Sequence, residues 1–385
     1  MFHSLKQVNP LYHMLVSVFP TIQHSKGSPI LRQLKENDPN FDKLWVQGNR
    51  EGWAASRSCC FCPKGASDLA LGWLGYFIGK NTILKDFSLR SGRFVSVAKY
   101  HVKAFFRGIS CNRSIQKFDL SIDSGGEQFQ WLSPFFENNH NLSQLHVTNC
   151  EFWGGVAYHL SSALRGCGKS LTSFSFINNR MGGESLFQSD QRGDEQLVQI
   201  IESLSMHTHL QKLSLKSMNI GRNECTALAN LLKHSFTELH TLNLHNNRIG
   251  DEGVCDLVEA LANSRSLSAL HLSQNHNITT RGWQSFVALL RNSNLEKLDL
   301  RSNNIGDEGT LIFANALTAN RKLKNLALSI SEITAEGWSS FSQVLCDTSS
   351  INNTFLSNHT LGSLEIGHRF LPSDLASSLA LNKSN

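Results

Sequence analysis

The sequence predicts an α/β solenoid, a stack of like units that each add one short strand to a parallel sheet and one helix behind it. Three observations carry this. Segments beginning at Leu239, Leu267, Leu295 and Leu323 start 28 residues apart and read LxxLxLxxNxI, with Ser331 in the Asn place of the last, then Gly-x-x-x-Leu/Phe-x-x-Ala/Leu-Leu. A fixed period in this range marks a stacked-repeat architecture. Within each unit the apolar spacing switches from alternation to helical recurrence, as at Leu257 and Leu261. A hydrophobic content of 40% and a charged content of 17% over 385 residues suit a soluble chain with one continuous core.

The elements of a unit follow in order. Its fourth and sixth residues alternate along a strand, so both point to one face, the core. The residues between them face solvent. The ninth is Asn179, Asn247, Asn275 or Asn303, with Cys150 as a stand-in one unit earlier. An Asn there can hydrogen-bond backbone groups of the turn leaving the strand, and again in a neighbouring unit. Weaker copies extend the array, giving about eleven units that start at 41, 84, 115, 142, 171, 210, 239, 267, 295, 323 and 351. In the last, Ile351-Asn-Asn-Thr354-Phe-Leu356 is read as a strand. Residues 1–40 are expected to form an N-terminal cap and 41–385 the solenoid, most regular over 210–345. Insertions are expected near 51–67 and 185–195, and a C-terminal cap helix over 371–382.

These units resemble the ribonuclease-inhibitor class of leucine-rich repeats, also seen in the NOD-like receptors and the Ran GTPase-activating protein. The resemblance covers roughly residues 84–366 and is most specific over 210–345. It implies a horseshoe with a parallel sheet inside, helices outside, and binding through the concave face and its rims. It transfers no ligand.

Other features bound the function. The net charge of +5, with no run of like charges, leaves no nucleic-acid footprint, and no partner of that class is expected. No run of 18 apolar residues occurs, so no membrane span is expected. Nine cysteines, mostly at repeat positions, read as small buried side chains in a reducing compartment, and a cytoplasmic location is expected. Arg165-Gly-Cys-Gly-Lys-Ser170 ends like a phosphate-binding loop but has Ala163 where the loop needs glycine, and the order around it is helix then strand. It reads as the end of a helix. Cys59, Cys60 and Cys62 lack a second ligand pair nearby, so no metal and no cofactor are expected.

The solvent face of the strands carries the candidate binding residues: Asp119, His146, Lys212, Asn243, His245, His271, Lys297, Asp299 and Arg301. The central column also includes Trp45 and, on the reading above, Phe355, with Asn353 beside it. The mixture is polar, with no large aromatic anchor cluster in the middle. No nucleophile, base and orienting group cluster in the sequence, so the chain is expected not to be an enzyme. The reading is a protein-interaction scaffold with an unidentified protein partner. The alternative is a regulator of an enzyme, as inhibitor or GTPase activator.

Overall fold

The structure, a computed structural model, describes residues 29–49, 52–56, 68–91, 98–122, 126–153, 156–182, 191–262, 264–329, 333–365 and 373–384. Twelve strands form the main sheet, in the spatial order β14-β13-β12-β11-β10-β9-β7-β5-β4-β3-β1-β2. They are β1 (Lys43–Asn49), β2 (Gly52–Ser56), β3 (Asp86–Ser91), β4 (Lys117–Ile122), β5 (Gln144–Thr148), β7 (Ser173–Ile177), β9 (Lys212–Ser214), β10 (Thr241–Asn243), β11 (Ala269–His271), β12 (Lys297–Asp299), β13 (Asn325–Ala327) and β14 (Ser363–Glu365). Strands β6 (Glu151–Trp153) and β8 (Arg180–Gly182) make a small separate parallel pair. All neighbours in the main sheet run parallel except β1 and β2, an antiparallel hairpin at its end.

Register follows from the repeat. Leu213, Leu242, Leu270, Leu298, Leu326 and Leu364 pair strand to strand and all lie in the core. A slip of one residue would turn every leucine to solvent, so burial of one face fixes the alignment. Helices such as Asp251–Leu261, Thr280–Asn292 and Gly306–Ala319 pack side by side behind this face. Toward the N-terminal end phenylalanine replaces leucine, with Phe87 and Phe118 rings 5.3 Å apart and Phe118 and Phe135 at the same distance.

Buried asparagines join the units. Asn247 Oδ1 accepts from the Met218 and Ile220 amides at 2.9 and 3.1 Å, and its Nδ2 donates to the Leu215 and Leu244 carbonyls, both at 2.9 Å. Asn275 and Asn303 repeat the arrangement, and Asn179 Oδ1 accepts from the Cys150 amide at 2.8 Å. Cys150 Sγ itself accepts from the Ile122 amide at 3.4 Å.

A second ladder lies on the other side of several strands, three residues before the unit's first apolar residue. Asn112 Nδ2 donates to the Ile78 and Asn81 carbonyls at 2.7 and 2.9 Å, while its Oδ1 accepts from Ser114 and Ile115. Asn81, Asn139, Asn320 and Asn358 hold the same place and are all buried. In the unit beginning at Leu210 it is His207, fully buried, whose Nε2 donates to the Leu164 carbonyl at 2.9 Å.

This ladder corrects the last unit. Ile351–Leu356 is a short helix, capped where Ser350 Oγ accepts from the Asn353 amide, and Ile351 is 92% exposed. Asn358 Oδ1 accepts from Thr360 and Leu361, setting the turn into β14. The final unit therefore begins at Leu361, and the spacing from Leu323 contains a third insertion. Asn353 and Phe355 leave the strand face, and Glu365 takes the central place, paired with Ala327.

The expected insertion at 51–67 includes β2, and the rest of it lies outside the described residues, as do Cys59, Cys60 and Cys62. Of 185–195, residues 191–195 begin the helix Gln191–Ser203 and the others lie outside the described residues. Of the expected cap 1–40, residues 29–40 are described and include the helix Pro29–Glu36, whose Leu34 is buried. Helix Ser373–Ser384 packs over the far end through Leu375 and Leu379, and Asn382 Nδ2 donates to the Asn358 and Leu361 carbonyls.

Candidate functional site

The open face of the main sheet is where the repeat brings chemistry together. Parallel register places one residue per strand in a central column: Ser88, Asp119, His146, Ser175, Ser214, Asn243, His271, Asp299, Ala327 and Glu365. From Asp119 to Asp299 the column reads Asp, His, Ser, Ser, Asn, His, Asp. Two Asp–His pairs thus bracket a neutral stretch.

At one end, Asp119 Oδ1 lies 2.9 Å from His146 Nδ1, and Asp119 Oδ2 lies 3.2 Å from Lys117 Nζ. Lys117 also reaches Asp86 at 3.8 Å. Burial pushes the Asp119 carboxyl up, but the hydrogen bond and charge of His146, with Lys117, together hold it below the ordinary carboxylate range.

At the other end, Asp299 takes a two-point grip from Arg301, at 2.9 Å from Nε and 2.8 Å from Nη2. His271 Nδ1 is 3.7 Å from Asp299 Oδ2, and Arg301 also faces Glu365 at 3.8 Å. Here too burial opposes ionisation, and the nearby His271 ring together with the hydrogen bonds and charge of Arg301 outweighs it, so the carboxyl is strongly lowered. Its side chain is only 12% exposed.

His245 lies two residues beyond β10. Its Nδ1 is 2.7 Å from Ser273 Oγ, which donates to Asp299 Oδ2 at 3.3 Å. Burial, then the charge of Lys216, lowers the His245 pKa. The three residue types are those of a hydrolytic triad, but their order is not. The serine bridges histidine and carboxylate and points its proton at Asp299, whose lowered pKa makes it a poor base, and Ser273 is buried. The group orders the face and offers no nucleophile.

Asn243 is half-buried at the centre, with Oδ1 accepting from the His245 amide at 3.0 Å. Lys212 and Lys297 are exposed in the row beside the central column. Arg165–Ser170 is the end of helix Val156–Gly166 and the turn into β7, with Ser170 Oγ donating to the Leu142 carbonyl. Among the described residues no group of three His, Cys, Asp or Glu side chains gathers as a metal site.

Two kinds of structural residue escaped the sequence reading. One is the second ladder, visible as a recurring Asn three residues before the unit's first apolar residue. The other is a cap passed between helices. Asp251 accepts from the Thr279 amide and hydroxyl at 2.8 and 2.6 Å, and Asp307 accepts likewise from Thr334 at 2.8 and 2.7 Å. A Cβ at Gly282 would sit 2.5 Å from Asp251 Oδ1, and one at Gly337 would crowd Asp307 Oδ1 likewise, which explains the glycine at these two helix starts.

A family model described as Leucine Rich repeat matches residues 237–257 and 291–310. The parallel register, the asparagine ladders and this match agree. The chain is a leucine-rich-repeat protein. This leucine-rich-repeat chain resembles NOD-like receptors: it is 28% identical over 68% of its length to 24% of the NACHT, LRR and PYD domains-containing protein 3 of Rattus norvegicus. It is 31% identical over 56% of its length to 12% of Protein NLRC5 of Ictalurus punctatus. It is also 29% identical over 37% of its length to 15% of a protein phosphatase 1 regulatory subunit 37 homolog of Caenorhabditis elegans. The chain thus spans a quarter or less of each of these relatives. Repeat arrays of this kind are protein-interaction scaffolds. Among the described residues no helix is long and apolar enough to cross a membrane.

Proposed function

We propose that this leucine-rich-repeat chain is a non-enzymatic scaffold that holds a protein partner against the open face of its sheet. The observation that carries the reading is the ordering of that face. Asp119, His146, His271, Asp299 and Arg301 are held in defined positions by one another, with half-exposed edges left toward solvent. Side chains already fixed lose little rotamer freedom on binding, so contacts to them are favoured. The serine-centred order of His245, Ser273 and Asp299 supports a binding role over a catalytic one. The cysteines and the repeat support a cytoplasmic setting.

The test is affinity capture of the partner by the wild-type chain, repeated with His271→Glu and Asp299→Arg, each checked for folding by thermal unfolding. Retention falling tenfold or more in both supports the face. Retention unchanged in both removes it from the binding surface. A second reading, a regulator of an enzyme, draws support from the likeness to a phosphatase regulatory subunit homolog. It predicts that the captured partner is an enzyme whose turnover changes when the chain is added.

A further inference from the structure

We propose that the partner segment seated between the two Asp–His pairs is acidic, a helix or extended stretch of protein rich in Asp and Glu. The proposal rests on the open face being the binding surface, and it adds the chemistry of the occupant.

Strands β9, β10, β11 and β12 align Lys212 with Thr241, Ala269 and Lys297 in one row, and Ser214 with Asn243, His271 and Asp299 in the next. The residues two past these, Lys216, His245, Ser273 and Arg301, form the row beyond. Four cations therefore surround this part of the face against one carboxylate, Asp299. That carboxylate is already matched by Arg301 and His271. Among the described residues Lys212, Lys216 and Lys297 have no carboxylate within ion-pair distance, and Lys212 and Lys297 are exposed.

Apart from His271, the floor beside the lysines on β7, β9, β10 and β11 carries no ionisable side chain. Ser175, Ser214, Thr241 and Asn243 offer hydroxyl and amide groups, and the small Ala269 keeps the row between Lys212 and Lys297 low. Unmatched cations around a neutral floor attract carboxylates, and charge complementarity of this kind selects partners more than it adds raw affinity. Two carboxylates of the face, Asp119 and Asp299, each already paired, bound this stretch. Six steps across the sheet separate their strands, β4 and β12. At ~4.8 Å per step they lie about 29 Å apart. An acidic helix of about 19 residues, or an extended stretch of about nine, fills that span.

The test uses the full chain and a fluorescent peptide of roughly 20 residues, the helical length that spans the face. One version carries Glu at every third or fourth position, and a second has Gln in their place. A single-stranded RNA of matching charge is the third probe. Lys212→Glu, Lys216→Glu and Lys297→Glu are combined in one variant and Lys99→Glu with Arg291→Glu, on the outer helices, in another. The Glu peptide is expected to bind at low salt and to weaken with added salt. The triple reversal should raise its Kd tenfold or more, the outer pair less than twofold, and the Gln peptide should bind at least tenfold more weakly.

Equal loss in both variants, or no binding of the Glu peptide, overturns the proposal. So does RNA binding more tightly than the peptide with the same dependence on the three lysines, which would make the face a nucleic-acid site. Failure here together with His271→Glu sensitivity in the capture experiment would leave the scaffold reading standing and reject only the acidic occupant.

Discussion

His271 and Asp299 face each other in register on adjacent strands of the open sheet, Nδ1 to Oδ2 at 3.7 Å, and Asp119 and His146 repeat the pairing at 2.9 Å, with six strand steps from aspartate to aspartate. The two pairs run in opposite order along the sheet. Each has a cation two residues along the chain from its aspartate, Lys117 before Asp119 and Arg301 after Asp299. Both carboxyls titrate below their ordinary range in consequence.

Acid stability follows from that pairing. A carboxyl whose folded pKa is depressed stabilises the fold fully above the unfolded value, ~3.9, and the contribution is lost as pH falls through the folded value. The wild-type chain should therefore lose stability between about pH 4 and the acid limit, and Asp299→Asn should flatten that limb. Urea midpoints across the acid range check this. An unchanged slope in the variant would show that Asp299 is not held as described.

The buried asparagines predict a specific fragility. Asn275→Ala leaves the Ile249 amide and the Leu244 and Leu272 carbonyls without their side-chain partner. The expected loss is about 3 kcal/mol, since buried polar groups left unpaired each cost about 1–3 kcal/mol. Asn277→Ala, at an exposed position, is expected to change the urea midpoint little.

How far the sequence reaches is visible in these residues. The leucine spacing placed the main-sheet strands from β3 to β13 correctly, because burial of one strand face is written as a two-residue alternation. The open-face residues were legible for the same reason. What was not legible was any feature set by hydrogen bonding between units. Asn358, three residues before Leu361, marks the true start of the last unit, yet Ile351 to Leu356 keeps the 28-residue spacing and an apolar pattern that imitates a strand. The Ser273 bridge joins residues from three units, and no single-unit pattern contains it.

His207 holds an asparagine position and should make the fold sensitive to mild acid. Burial lowers its pKa from the ordinary 6.5, against the hydrogen bond to the Leu164 carbonyl. The unfolded chain then binds the proton more readily, so stability falls as pH drops through 6.5. His207→Asn keeps a donor for that carbonyl and removes the titration. The fall in urea midpoint between pH 7.5 and 5.5 should be smaller in this variant than in the wild type.

The helices Asp68–Lys80 and Lys99–Ile109 touch backbone to backbone. A Cβ at Gly75 would lie 2.4 Å from the Phe105 carbonyl oxygen, whereas one at Gly72 meets only the Ala104 Cβ at 3.6 Å. Gly75→Ala should cost about 3 kcal/mol through forced separation of the helices. Gly72→Ala should stabilise by up to about 1 kcal/mol, the helix preference for alanine over glycine. Thermal unfolding of the two variants decides, and equal effects would contradict the close crossing.

The central claim, that a protein partner lies on the open face, is tested most directly by site-specific photo-crosslinking. A photoreactive residue replaces Asn243 at the centre of the face in one variant and Tyr158, 60% exposed on an outer helix, in another. A discrete protein adduct from position 243 and none from position 158 is the predicted result. An adduct formed only from position 158 would contradict the account.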